Sequence, residues 1–497
     1  MNRWTLARNC LSNPYKSFSI TRLPLVRPTF HLNRMAGVSL STRRISSSAS
    51  PPSMAATQEA PQAAPLVQSQ NVSGGLYEFL LNRPTKMNAL NFEMIRAISA
   101  QLKAWEKSDK VKVVTVKSDP GVAFCAGGDV KAVVDYSKEG QPEKAFQFFK
   151  EEYQLDHMIS TLDTPYIAIM DGVTMGGGVG LSAHAAFRIA TENTLFAMPE
   201  TKIGFFPDVG GSFFLSRLDG YLGVYLGLTG KRLKGTDVLY AGVATHYVPS
   251  DRLAALESHL ASLENPDHDA VNRAIDMFAG DLDQAPAYSL GRGIRGAIDR
   301  CFHFDHMDDV MAAIRKEQEH PDLSAWAQET LKYLTSMSPT SLTVALEGLR
   351  RGRSQSIAQC FQMEFHLLQK FLVNHDMHEG VYKTLVYRGQ TSHWQPPTLA
   401  DIDRDAILQK YFEAPSPWPT LSMVATKDFS QYPYRQYCLP TEQDIKDVVM
   451  KQHWSSPDQV VDHFVDQRQG KQGVKQKVAE ILAGRTRQQD ATLVWID

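Results

Sequence analysis

Long apolar runs are missing from this chain. Its most apolar stretch, Thr164 to Met175, contains Asp171 and is shorter than the roughly 18 residues a membrane-crossing helix needs. No membrane span is expected. Cysteine is scarce: positions 10, 125, 301, 360 and 438 are an odd set, widely scattered, with no CxxC spacing. A disulfide framework is excluded and structural zinc is disfavoured, and the histidines form no HExxH motif, so no metal site is expected. Acidic residues are absent from positions 1 to 50, where eight Arg or Lys and nine Ser stand; the first acid is Glu59. An Arg-rich, Ser-rich, acid-free leader has the composition of a mitochondrial transit peptide, which predicts a location in the mitochondrial matrix. The remainder then carries 44 basic and 54 acidic residues, a net charge of −10. Direct RNA binding by such a body is not expected.

What is present is ordinary globular composition, 43% hydrophobic and 21% charged over 497 residues, enough for two or three folded units. Residues 51–72, rich in Ala, Pro and Gln without apolar periodicity, read as a linker. From 73 to 290, β-type runs (76–81, 113–116, 166–170, 187–190, 194–197) alternate with helical patterns such as 92–105, which argues for an α/β core. From 291 to 413 the β-type runs disappear, and 307–318, 324–336, 341–348 and 357–374 show helical spacing. The breaker run Ala414-Pro-Ser-Pro-Trp-Pro419 marks a boundary. Residues 414–497 read as an extension, with six basic residues against Glu480 between Arg468 and Arg487 and the aspect of a partner-docking segment.

Three segments carry chemistry. Phe124-Cys-Ala-Gly-Gly-Asp129 follows a strand, and its glycines admit a tight turn and close approach of backbone N–H groups. Asp171-Gly-Val-Thr-Met-Gly-Gly-Gly-Val-Gly-Leu181 places three glycines at a helix start, where unpaired N–H groups converge with the positive helix end behind them. It matches neither phosphate-cradling nucleotide motif. Met198-Pro-Glu-Thr-Lys-Ile-Gly-Phe-Phe-Pro-Asp-Val-Gly-Gly211 sets Glu200 and Asp208 among apolar and aromatic residues, where desolvation raises a carboxyl pKa and suits it to base or nucleophile work.

The order of these segments, with Leu81-Asn-Arg-Pro-Thr-Lys-Met-Asn-Ala-Leu90, Phe149-Lys-Glu-Glu-Tyr153, Ser336-Met-Ser-Pro-Thr-Ser341 and His378-Glu-Gly380, resembles the enoyl-CoA hydratase/isomerase (crotonase) superfamily from about 73 to 250. Within it, the likeness to the 3-hydroxyisobutyryl-CoA hydrolases runs to about 412. The resemblance implies a spiral of ββα turns that binds an acyl thioester of coenzyme A, with no cofactor beyond the coenzyme A of the substrate. It implies that the thioester oxygen lies between the N–H of Ala126 or Gly127 and that of Gly177. Similar hydratases use two glutamates, and the first of those positions is Gly180 here, so hydration is disfavoured. Glu200 becomes the reacting carboxylate, by direct attack or by activating water. Asp208 orients water or the substrate and tunes Glu200, and Glu152 binds the hydroxyl of the acyl group. Where relatives carry Arg and an Asp-Lys-Asp run, this chain has Val381-Tyr-Lys383 and Tyr387-Arg-Gly389. Fungal relatives of this make-up are known both as hydrolases and as small-subunit components of the mitochondrial ribosome. The small ribosomal subunit is therefore an expected partner, with a scaffold role and a hydratase or isomerase activity as the alternatives.

Overall fold

A computed structural model describes residues 64–490 and 492–496. The leader, most of the linker and Cys10 lie outside the described residues. The core is laid out by two sheets. Strands β1 (Val67–Ser73), β2 (Leu76–Leu81), β3 (Val113–Ser118), β4 (Tyr166–Met170), β6 (Phe187–Ala190) and β9 (His246–Tyr247) form one sheet in the order β1-β2-β3-β4-β6-β9. Strands β5 (Val173–Met175), β7 (Leu195–Ala197) and β8 (Leu233–Lys234) form the other. In the six-stranded sheet every pairing from β2 to β9 is parallel and β1 runs antiparallel to β2; in the other sheet β5 and β7 are parallel and β8 runs antiparallel to β7. The chain leaves β4, turns, enters β5, makes a short helix and returns as β6, so each repeat is a ββα turn shared between the sheets. This is the crotonase-type α/β spiral, followed by a helical region.

Local chemistry explains the elements. Helix Phe92–Trp105 buries Met94, Ile95, Ile98, Leu102 and Trp105, a stripe at three- and four-residue spacing, and Asn91 caps it by accepting the Met94 N–H. Each such side chain contributes about 1.5–3 kcal/mol on burial. Central strands β4 and β6 are buried at every residue, as strands covered on both faces must be. Strand β1 differs from the linker reading of its residues. Its sequence is polar because most of its side chains point to solvent, and pairing with β2 rather than apolar burial holds it.

Beyond 291 the helices follow their caps: Ser338 accepts the Ser341 N–H to open helix Pro339–Gly352, and Ser356 with Gln359 forms a capping box for Ile357–Phe371. Residues beyond 414 pack on the body. Helices Glu442–Lys451, Pro457–Gln467 and Val474–Arg485 bury Ile445, Val449, Phe464, Val478 and Leu482 in the same apolar cluster as the core. Half of the basic run there is held by acids of the body, while Lys475 and Arg487 stay exposed. Lys477 Nζ meets Asp219 at 2.6 Å, Lys471 meets Asp276 at 3.1 Å, and Arg485 pairs with Asp299 and Glu442. The sequence showed the charges but not the acids of the body that receive them. No helix among the described residues is long and apolar enough to cross a membrane.

The Lys477–Asp219 pair is buried on both sides, so removing one partner strands a charge. Lys477→Ala is expected to lower stability by about 3 kcal/mol. The midpoint of urea unfolding measures this, and an unchanged midpoint would mean the segment is not integral to the fold.

Candidate active site

The three segments expected to carry chemistry converge at the ends of β4 and β5. Gly127 (φ 115) lies beside the start of helix Gly177–Ala183: a Cβ at 127 would stand 3.6 Å from the Met175 carbonyl oxygen and 3.9 Å from the Gly177 nitrogen. The two alternatives for the first donor separate here. Ala126 N–H donates to the Met87 carbonyl at 3.0 Å, whereas Gly127 N–H has no acceptor among the described residues. Gly177, as first residue of its helix, also has an unpaired N–H. Thus Gly127 and Gly177, not Ala126, offer free donors at this point. Gly176 (φ 46) makes the turn, and a side chain at 177 is excluded because its Cβ would fall 2.3 Å from Glu152 Oε1.

The acids gather around this turn. Glu200 opens the short 3₁₀ turn Glu200–Ile203 after β7, and a Cβ at Gly176 would lie 3.3 Å from its Oε1. Its Oε2 is buried without a partner, as is Glu152 Oε1. Burial pushes the Glu200 carboxyl well above the ordinary range, and the Asp208 charge adds to the shift. Glu152 is raised by the same two causes in the same order. Asp208 accepts the Tyr153 hydroxyl at 2.8 Å, yet burial carries it up to about 7. Among the described residues no Lys or Arg pairs with any of these three carboxyls, so only hydrogen bonds to Asp208 and Glu200 offset their desolvation, and they do so in part.

Two further features were not legible in sequence. The space at Gly180 is filled rather than empty: a Cβ there would come within 2.6 Å of Asp156 Oδ2. Asp156 lies one turn after Glu152 on helix Pro142–Ser160, is fully buried, and has two unpartnered oxygens. Its spacing of four from Glu152 was visible; the glycine opposite it was not. Burial, then Glu152, holds its carboxyl far above the usual range.

The second feature is the scaffold under Asp208. Val209 has φ 54, a strained conformation for a β-branched residue. The surroundings enforce it: His184 Nε2 donates to the Val209 carbonyl at 2.8 Å, Glu364 accepts the Gly210 N–H at 2.7 Å and the Ser212 N–H at 2.8 Å, and a Cβ at Gly210 would strike His184. His184 is buried and lowered to about 4, so its ring is neutral and the Nε2 proton faces the carbonyl.

The fold, with its glycine turns and acids gathered at one place, is of the crotonase kind, and the sequence comparison agrees. The family model described as enoyl-CoA hydratase/isomerase matches residues 76–412, and the chain belongs to that family. It is similar to "Small ribosomal subunit protein mS47" of Neurospora crassa, 46% identical over 418 residues that cover 81% of this chain and 82% of that one. It is also similar to "3-hydroxyisobutyryl-CoA hydrolase, mitochondrial" of Xenopus laevis, 44% identical over 329 residues, 66% of this chain and 84% of that protein. Among solved structures, a carnitinyl-CoA dehydratase from Mycobacterium thermoresistibile superposes with a TM-score of 0.65 at 36% identity, covering 72% of this chain and 99% of that one. The mitochondrial names of the relatives place this protein in the mitochondrion.

A carboxyl raised in the folded state binds its proton more tightly there than in the unfolded chain, so stability falls as pH rises between the unfolded and folded values. For Asp208 that window runs from about pH 4 to about 7. Urea unfolding at pH 4.5 and at 7.5 should show wild type losing more stability over this interval than Asp208→Asn does. Equal losses would count against a protonated Asp208.

Proposed function

We propose that the protein hydrolyses the thioester of a short 3-hydroxyacyl-coenzyme A, 3-hydroxyisobutyryl-CoA in particular, and so acts in valine breakdown in the mitochondrial matrix. The observation that carries this reading is the unpartnered Glu200 carboxyl beside two free backbone donors. The thioester oxygen sits between the N–H groups of Gly127 and Gly177, which stabilise the charge that develops on it, a term worth about 10²- to 10³-fold per donor. Glu200, once ionised, either attacks the carbonyl carbon, giving a mixed anhydride that water opens, or takes a proton from an attacking water. Both routes end with a C–O bond formed, the C–S bond broken and the thiolate protonated. Asp208, held by Tyr153, orients the water and tunes Glu200. Glu152 Oε1, buried without a partner, receives the acyl hydroxyl. The substrate supplies its own coenzyme A, and the reading calls for no other cofactor.

A second role is favoured by one comparison. The likeness to the Neurospora crassa ribosomal protein covers more of the chain than the family segment does, so it reaches beyond the hydrolase-like part. We propose association with the small subunit of the mitochondrial ribosome as compatible with, and separate from, the chemistry. Tagged protein in a mitochondrial extract should co-sediment with the small subunit; migration only as free protein at low salt would rule this out.

The enzymatic reading is checked by thiol release from a panel of coenzyme A esters. Glu200→Gln should lower the rate at least about 10³-fold with the fold retained. Glu152→Gln should reduce the preference for 3-hydroxyisobutyryl- over isobutyryl-CoA by about tenfold or more. The wild-type rate should climb as pH rises through about 7, where Asp208 gives up its proton. Full activity of Glu200→Gln, or turnover of crotonyl-CoA with no thiol release from the hydroxyacyl ester, would replace this reading by the hydratase one.

A further inference from the structure

Where the segment beyond 414 meets the body, the two line an open cleft of about 660 Å³, within the range of about 300–1,000 Å³ typical of small-molecule sites. Its lining comes from both sides: Phe213, Arg217 and Tyr221 from the body, Tyr432, Lys446 and Trp495 from the C-terminal segment. The acid cluster uses none of these residues.

The cavity is electropositive. Seven Lys or Arg side chains line it against three carboxylates, and those three, Asp219, Asp299 and Glu442, are already paired with Lys477 and Arg485. Three arginines have no carboxylate partner among the described residues. Arg188 is buried, and its guanidinium donates to the carbonyls of Val243 and Ala185, the Tyr432 hydroxyl and the Cys438 sulfur. Arg217 donates to the carbonyls of Phe213, Gly352, Gln355 and Ser430 and to the Ser216 hydroxyl. Arg353 is exposed, and its guanidinium has no hydrogen-bond partner among the described residues. Cations enclosed without counter-charge favour an anion, and the field is strengthened where water is excluded.

The cavity is also lined with rings that take flat cations. Arg188 lies 4.9 Å from the Tyr432 ring centroid, Arg217 3.6 Å from Phe213, Arg353 5.9 Å from Tyr221, and Lys446 5.9 Å from Trp495. Alternating rings and cations suit a ligand that is both planar and anionic. A further unpaired group points the same way: His184 lines the cavity, is 1% exposed, and its Nδ1 has no partner. With its Nε2 proton directed at Val209, Nδ1 is an acceptor awaiting a donor such as an exocyclic amine.

We propose that this cavity is a second ligand site, distinct from the acid cluster, which takes a free nucleotide with its phosphates at Arg353 and its base among the aromatic side chains. A cleft of this limited volume favours a mononucleotide over a nucleic-acid strand. The proposal does not rest on the hydrolase reading, because its readout is binding.

The test is calorimetric titration of the purified full chain with ATP, alongside Arg353→Glu and Gln443→Glu. Both positions are exposed and line the cavity, so the fold should survive, which far-UV circular dichroism verifies. One ATP should bind per chain, with affinity at least about tenfold weaker in each variant and falling as salt is raised. Absence of ATP binding by wild type, or unchanged affinity in both variants, overturns the proposal. Pyrophosphate binding as tightly as ATP overturns the role of the rings, and an RNA hexamer binding more tightly than ATP overturns the choice of a free nucleotide.

Discussion

The structure is organised around carboxyl groups buried with no cation to balance them. Glu152, Asp156, Glu200 and Asp208 converge near one glycine turn, each raised chiefly by desolvation, and the first three also by their acidic neighbours. Such a cluster is unfavourable to fold when ionised, so the folded chain holds protons there that water would remove. That cost has a chemical use. A carboxyl poised near neutrality in a dry site is a stronger base or nucleophile than an exposed one, and backbone donors act there without competition from solvent.

The rest of the fold keeps the cluster from relaxing. Val209 stays strained because Glu364 and His184 grip the loop on both sides, and Asp208 is presented as a result. Gly176 and Gly177 admit the carboxyls because neither carries a Cβ. Aromatic side chains complete the wall: the Phe149 ring lies 5.9 Å from Tyr153 and 5.8 Å from Phe205, and Tyr153 lies 5.8 Å from Phe361, which excludes water behind Asp208.

The segment beyond 414 changes what a crotonase-type body presents. It inserts Lys471 and Lys477 into acidic sockets and forms one wall of an open cleft lined from both parts. Likeness both to hydrolases and to a ribosomal protein fits such a design, since the acid cluster and the added surfaces occupy different places. A chain can retain one while elaborating the other.

Periodicity and motif order were strong guides. The amphipathic helix at 92–105, that at 324–336, the buried strands at 166–170 and 187–190 and the three chemical segments follow from local pattern, because burial of one stripe or two faces leaves its signature along the chain. Strand 67–73 left no signature, since its side chains are mostly solvated and a partner strand holds it. Glu200 and Asp208 stood out in sequence because acids among apolar and aromatic neighbours have limited chemistry, whereas Glu152 and the paired donor glycines were named through the family resemblance. Which backbone N–H remains free, that Asp156 fills the space beside Gly180, and that the C-terminal lysines are buried in ion pairs depended on packing between residues far apart in the chain. Hydrogen-bond partners and desolvation are properties of a neighbourhood, and only the tertiary structure assembles one.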